Sequence, residues 1–279
     1  MNKYPSIIFA ASILLAMLAC AIPGQEAASV PTPTVDLAQL NVMVAETVSA
    51  VLQQTAQAAT ATPAVTATSQ STPTETAAPL QQSSITSQAD GTSFFVDEKA
   101  GFNLTIPPGW LPVRIDQIEY YDAFSLPQAA DPAVQAALMD INDLDPAVFR
   151  LFIFDLQDGH VQNGFVNNVN ILWNQGESIS LKTDEEIKAT AETLPSQVPG
   201  LVVVSSSVST TASNTLTGVI LSEIASQQSD GTTINLSQKQ VFLNVKDGLL
   251  VLTFTTGQQI QDATLPFFDA MIESIQLGE

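Results

Sequence analysis

Apolar positions divide the 279-residue chain into three regions with different patterns. Residues 7–18 form a nearly unbroken apolar run that directly follows a basic start. Residues 21–92 contain no aromatic residue and no Lys or Arg, whereas large apolar residues recur in short runs from there to the C-terminus. This distribution predicts a leader over 1–19, a segment without a core over 20–92 and one folded domain over 93–279.

Short apolar runs between turn residues predict an antiparallel sheet in the folded domain. The expected strands are 94–96, 102–106, 149–154, 166–173, 201–208, 216–225, 234–245 and 249–255. Asp230-Gly231 and Asp247-Gly248 are typical of tight hairpin turns. Because these two turns follow one another closely, the last three strands are predicted to form a meander.

Helix signals lie between and after these strands. Asp131-Pro132 combines an N-cap with a proline that suits a first turn, and Thr183 and Glu186 have capping-box spacing. A final helix is predicted over 264–275, with an apolar stripe formed by Phe268, Met271, Ile272 and Ile275. The pattern predicts the α+β class: an antiparallel sheet flanked by helices and preceded by a disordered stalk.

The leader predicts where the protein is located. Its apolar run is shorter than the roughly 20 residues that span a bilayer and fits the hydrophobic part of a secretory signal. The run ends on Met17-Leu18-Ala19-Cys20, which resembles the lipobox of bacterial lipoproteins, although Met17 and Leu18 depart from its common form. The resemblance implies lipidation of Cys20 and anchoring on the extracytoplasmic face, at the cell surface or in the periplasm. The alternative is an ordinary signal with an incidental cysteine.

The stalk over 20–92 is rich in Ala, Thr, Gln, Ser and Pro, a composition that is typical of disorder. Residues 35–59 lack Pro and Gly and carry apolar residues at helical spacing. A short coiled coil that pairs two stalks and a marginal helix in a flexible tether are both consistent with this spacing. Only about two heptads are supported, so the marginal helix is favoured over self-association.

Charge and composition exclude several functions. The formal net charge of −20 argues against nucleic-acid binding. One cysteine and one histidine exclude an intramolecular disulfide and a multi-histidine metal site. His160 is the single candidate base for a hydrolase triad, and no Gly-x-Ser-x-Gly turn accompanies it. We therefore interpret His160 as a solvated loop residue, and predict neither catalysis nor a cofactor.

Two groups of residues are candidate binding sites. Aromatic residues between the opening strands and the first helix are candidates for a pocket lining, although core or rim positions are commoner for such residues: Trp110, Tyr120, Tyr121 and Phe124. Oxygen ligands cluster in a weak candidate calcium site: Asp140, Asn142, Asp143 and Asp145. This cluster lacks the glycine and the glutamate of an EF-hand, so a helix end followed by a capped loop is the favoured interpretation.

The domain resembles the PsbP-like (PsbP/DcrB-type) family. The opening Gly101–Trp110 stretch, the strand Val169-Asn170-Ile171 and the closing Leu250–Phe254 strand with its helix carry the resemblance, whereas Ser274-Ile275 departs from the usual Ser-Phe ending. It implies a PsbP-like sandwich over 94–277 without catalytic residues. It also implies a lipid-anchored interaction or scaffold module that accompanies an unidentified envelope protein.

The alternative functions are a small-solute-binding or sensing lipoprotein and, less favoured, a hydrolase. A large exposed apolar patch would favour the interaction module. A concave pocket with convergent polar groups would favour solute binding.

Overall fold

The computed structural model describes residues 83–227 and 232–278. The predicted signal over 1–19, Cys20, the predicted helix over 35–59 and the Asp230-Gly231 turn lie outside the described residues. Within those described, no helix is long and apolar enough to cross a membrane.

The described strands form two antiparallel sheets, which confirms the predicted α+β class. The strands are β1 Ser83–Ser87, β2 Ser93–Asp97, β3 Phe102–Ile106, β4 Trp110–Val113, β5 Phe149–Asp155, β6 Asn168–Gln175, β7 Leu201–Thr210, β8 Leu216–Gln227, β9 Thr233–Val245, β10 Gly248–Gly257 and β11 Gln276–Leu277. The seven-stranded sheet has the order β4-β5-β6-β10-β9-β8-β7 and the four-stranded sheet the order β1-β2-β3-β11.

Five α-helices and two 3₁₀ turns are described. The helices are α1 Ile118–Ala123, α2 Pro132–Asp140, α3 Asp184–Ala191, α4 Leu194–Gln197 and α5 Gln261–Glu273, and the 3₁₀ turns are Pro127–Ala130 and Gln258–Ile260. The predicted cap of α2 is confirmed, since the Asp131 carboxylate accepts a hydrogen bond from the Ala133 N–H at 2.8 Å. At the start of α3, the Glu186 carboxylate accepts from the Thr183 N–H at 3.2 Å.

The central strands of the seven-stranded sheet are buried on both faces. Apolar residues of α1–α4 cover one face, the helical face, and the four-stranded sheet and α5 cover the other, the small-sheet face. Along β10, Leu249 and Val251 pack on the helical face and Leu250 and Leu252 on the small-sheet face. This double burial explains why the central strands are apolar at successive positions rather than alternating.

Three of the differences from the predicted elements affect the description of the fold. β1 lies within the range assigned to the stalk and pairs with β2, so the sheet begins before residue 93. No strand was predicted between 106 and 149, yet Trp110–Val113 forms β4. α5 begins at Gln261, three residues before the predicted start, although its predicted apolar stripe is buried as expected.

The hairpin between β9 and β10 is confirmed, but its turn is shifted by one residue. Val245 pairs with Gly248, so Lys246 and Asp247 form the loop and Gly248 is the first residue of β10. A Cβ atom on Gly248 would lie 2.5 Å from the carbonyl oxygen of Asn174. Glycine is required here because a neighbouring strand approaches closely, and not because the turn needs a positive φ.

Candidate functional site

The structure separates Trp110 from the other residues of the predicted pocket. Trp110 is buried on the small-sheet face, with its ring centroid 5.5 Å from that of Phe268. Tyr120 is buried on the helical face, in the core that α1 and α2 cover. Trp110 is therefore a core residue, and Tyr120 does not line a pocket with it.

Four large apolar side chains are instead exposed on α1 and α2, and we call this surface the acidic apolar face. Their exposed fractions are 69% for Ile118, 57% for Tyr121, 40% for Phe124 and 65% for Met139. The first three follow one another at a spacing of three residues, which places them on one side of α1 and its end. Buried Tyr120 links α1 to the end of α2, since its hydroxyl lies 3.2 Å from the Asn142 side-chain oxygen.

The chain segment that carries the acidic apolar face is negatively charged. Residues 115–149 contain seven acidic residues and no Lys, Arg or His. The nearest cation in the sequence, Arg114, is paired with Glu119. Burial raises the pKa of the Tyr120 hydroxyl, and the nearby Tyr121, Asp116 and Asp143 raise it further. The face therefore combines an apolar centre with a negative potential.

The candidate calcium residues have other partners. Asn142 donates to Asp143 at 3.1 Å, and Asp145 accepts from the Ala147 N–H at 2.8 Å, which caps the following turn. Among the described residues, no group of three or more His, Cys, Asp or Glu side chains is placed to hold one metal ion. The geometry corresponds to the favoured interpretation, a helix end followed by a capped loop.

Removing the charge of Asp140 is expected to stabilise the folded protein, by an amount that depends on pH. Burial raises the pKa of this carboxyl, and it is the last residue of α2, where the helix dipole disfavours negative charge. The folded state therefore binds the proton more tightly than the unfolded state, and ionisation destabilises folding. We expect Asp140→Asn to stabilise by about 0.3–1 kcal/mol at neutral pH, or roughly 1–4 °C in Tm.

The gain from Asp140→Asn should disappear as the pH falls below the ordinary aspartate pKa of about 3.9, because the wild-type carboxyl is then protonated as well. Thermal unfolding across this pH range measures it. Asp158→Asn, at an exposed loop carboxyl, is the matched control. An equal gain in the control, or a gain that persists in acid, would refute the explanation.

His160 is held by a buried carboxylate. Its Nδ1 lies 2.6 Å from Oδ2 of Asp155, a fully buried side chain at the end of β5. Asn167 donates to the same oxygen at 3.2 Å, and its own side-chain oxygen accepts from the Gly257 N–H at 3.2 Å. The interpretation of His160 as a solvated residue is wrong, because its side chain is only 21% exposed and is fixed through Asp155.

His160 borders a cavity of about 300 Å³ where β9 begins and β10 ends. A hairpin in the β5–β6 loop forms one wall: Gln162 and Phe165 pair across Asn163-Gly164, both with positive φ. Asn-Gly at such a position is the strongest short hairpin signal in a sequence. Hairpins were predicted only at the two Asp-Gly turns, and not at Asn163-Gly164.

Two rows of buried polar side chains cross the helical face of the seven-stranded sheet, and we call them the polar belt. Cross-strand pairing aligns one row of Asn168, Thr255, Gln238 and Ser222, and a second row of Asn170, Thr253 and Gln240. All seven residues are at most 5% exposed. Seven of their side-chain N and O atoms have no hydrogen-bonding partner among the described residues. Each such atom costs about 1–3 kcal/mol when it is left without a partner.

Comparisons with known proteins found similar solved structures only. No protein-family model matches the chain, and neither does any curated protein. Similar solved structures include a cyanobacterial PsbP (CyanoP) from Synechocystis sp. PCC 6803, at 12% identity over 68% of this chain and 94% of that chain, with a TM-score of 0.44. A PsbP is thus among the structural neighbours, as the opening motif predicted.

Two further structural neighbours are proteins with different roles. LpqN, involved in cell envelope biogenesis of Mycobacterium tuberculosis, is 11% identical over 71% of this chain and 91% of its own, with a TM-score of 0.38. The Saccharomyces cerevisiae Ran-binding protein Mog1p is 9% identical over 63% and 90%, with a TM-score of 0.36. At these identities the likeness concerns the fold alone, so function has to be argued from the side chains of this chain.

Proposed function

We propose that this chain is a non-enzymatic accessory module of the cell envelope, anchored by lipid on Cys20, that docks on a basic protein surface. The observation that carries the proposal is the acidic apolar face. Exposed aromatic and apolar side chains are typical of the centre of a protein interface, and charged residues of its rim. A border of a single sign selects a partner surface of the opposite sign.

The same border argues for a protein partner and against the bilayer as the partner of this face. Bilayer surfaces that contain anionic lipids repel acidic residues. A protein surface that carries Lys or Arg around an apolar centre complements both the charge and the four exposed side chains. Because rim charges are screened by salt, the complex should weaken as ionic strength rises.

Photo-crosslinking in native membranes tests the proposal. A photo-crosslinking phenylalanine derivative replaces Tyr121 in the full-length protein, and a second protein carries it at Val202, which is equally exposed but lies on β7. We expect position 121 to give one protein product whose crosslinked segment is rich in Lys or Arg. The same products from both positions, an acidic partner segment or lipid products alone would overturn the proposal.

Truncating the Tyr121 side chain measures its contribution to the binding free energy. Tyr121→Ala should reduce recovery of that partner by roughly 30-fold, as for a central aromatic residue worth about 2 kcal/mol. The free energy of unfolding should fall by no more than about 1.5 kcal/mol, because the half-exposed ring makes one edge-to-face contact with Tyr120, at 5.3 Å between ring centroids. Val202→Ala is the matched control and should leave recovery unchanged. Quantitative pull-down with recombinant partner measures both variants, and equal losses would contradict the proposal.

A further inference from the structure

The cavity beside His160 has the features of a built site. Its walls come from three separate segments: the β5–β6 loop, the start of β9 and the 3₁₀ turn after β10. Asp155 fixes His160, and Asn167 ties the loop to Gly257 across 90 residues of sequence. Its volume of about 300 Å³ lies at the lower end of the range of small-molecule pockets.

The imidazole presents one nitrogen for binding. Because a carboxylate lies at Nδ1, the ring proton is held there, and Nε2 is left as the second ring nitrogen. Nε2 has no hydrogen-bonding partner among the described residues. It is therefore available to accept a hydrogen bond from a ligand hydroxyl.

The remaining lining selects a neutral ligand. No Lys, Arg, Asp or Glu is among the described residues that line the cavity. Amides and hydroxyls alternate there with apolar side chains: Gln162, Thr233, Gln258 and Gln259 beside Phe165 and Ile234. Such a surface combines hydrogen-bonding groups for hydroxyls with an apolar area for the C–H groups between them.

The polar belt lies directly behind the cavity. Leu236 and Gly257 line the cavity and pair with each other. Gln238 and Thr255 lie two residues further along the same strands, on the same face and roughly 7 Å inward. The unpartnered belt atoms thus begin one row behind the cavity lining, and none of the belt residues lines the cavity itself.

We propose that the cavity binds a neutral polyhydroxylated solute of about the size of one sugar unit, with His160 Nε2 accepting from a hydroxyl. This inference goes beyond the proposed docking function and uses none of its residues. We expect solute binding at this site whether or not the protein docks through the acidic apolar face.

Calorimetric titration of the detergent-solubilised full-length protein tests the site. The probes are glucose, N-acetylglucosamine and, as an anionic comparison, glucose 6-phosphate. We expect at least one neutral sugar to bind with a Kd of about 1 mM or lower and glucose 6-phosphate to bind at least tenfold more weakly. Absence of binding by both neutral sugars at roughly 10 mM, or stronger binding of the phosphate, would overturn the proposal.

Variants of residues that line the cavity test whether the sugar binds there. His160→Gln should weaken sugar binding at least tenfold, and Gln258→Ala should weaken it measurably without disturbing the Asp155 contacts. Asp158→Asn, in the same loop but outside the lining, is the control and should bind as the wild type does. If His160→Gln unfolds the loop, Gln258→Ala decides the question. Unchanged affinity in Gln258→Ala and in folded His160→Gln places the ligand elsewhere and refutes the proposal.

Discussion

Replacing Asp97 with alanine is expected to lower the free energy of unfolding by about 3–5 kcal/mol, or roughly 6–20 °C in Tm. The fully buried Asp97 carboxylate ends β2 and lies 2.6 Å from the Nε of Arg150 in β5. It also accepts from the Ala100 N–H at 2.9 Å. Its removal leaves the nearly buried Arg150 guanidinium without its carboxylate, and desolvation makes an unpaired buried charge costly.

The position of Arg150 explains how the pair forms. The pairing of β5 with β6 shifts register between Phe149 and Leu151, so Arg150 lies in the irregularity. Bulges of this kind redirect a side chain, and here the side chain reaches the four-stranded sheet. The pair therefore joins the two sheets at one fixed position.

Two comparisons make the Asp97 prediction specific. Asp269→Ala removes the carboxylate of the Lys239–Asp269 pair, where Asp269 is half exposed, and should cost no more than about 1 kcal/mol. The double variant Asp97→Ala with Arg150→Met should lose clearly less than the sum of the single losses, since no charge remains buried alone. Equal costs for Asp97→Ala and Asp269→Ala in denaturant unfolding would contradict the argument.

Phe268→Ala is expected to cost about 3–5 kcal/mol for a different reason. The fully buried ring of Phe268 joins α5 to the sheet, with its centroid 4.8 Å from that of Phe254 and 5.5 Å from that of Trp110. Alanine removes the ring and leaves a cavity that these two side chains fill only partly. Denaturant unfolding followed by tryptophan fluorescence measures the loss beside Trp110.

The control for Phe268→Ala is the same substitution at an exposed phenylalanine. Phe124 is 40% exposed on the acidic apolar face and makes one edge-to-face contact with Tyr120, at 5.3 Å between ring centroids. Phe124→Ala should therefore lower the free energy of unfolding by no more than about 1.5 kcal/mol, clearly less than Phe268→Ala. A small effect at both positions would mean that α5 contributes little to the stability of the sheet.

The sequence was most informative where local pattern and burial agree. β10 is apolar at successive positions and follows a turn signal, so it was predicted almost to its ends. β1 was assigned to the stalk because its sequence, Ser-Ser-Ile-Thr-Ser, has one apolar residue. That segment is a strand because it pairs with β2, and no local sequence pattern predicts this pairing.

The candidate surfaces were harder to predict. The sequence drew attention to Tyr120, Tyr121 and Phe124, but burial of the first and exposure of the others depend on how α2 packs. His160 and Asp155 are five residues apart, yet the cavity also needs Gly257, which is distant in sequence. Long-range contacts of this kind have no periodicity that a single sequence reveals.

The polar belt also restricts how the chain can align as it folds. A slip of β9 by one residue would exchange its two faces. The amides of Gln238 and Gln240 would then enter the apolar small-sheet core, and Lys239, now paired with Asp269, would lie beneath the helices. Both exchanges are unfavourable, so misaligned pairings of this central strand are excluded by the same residues that cross the native sheet.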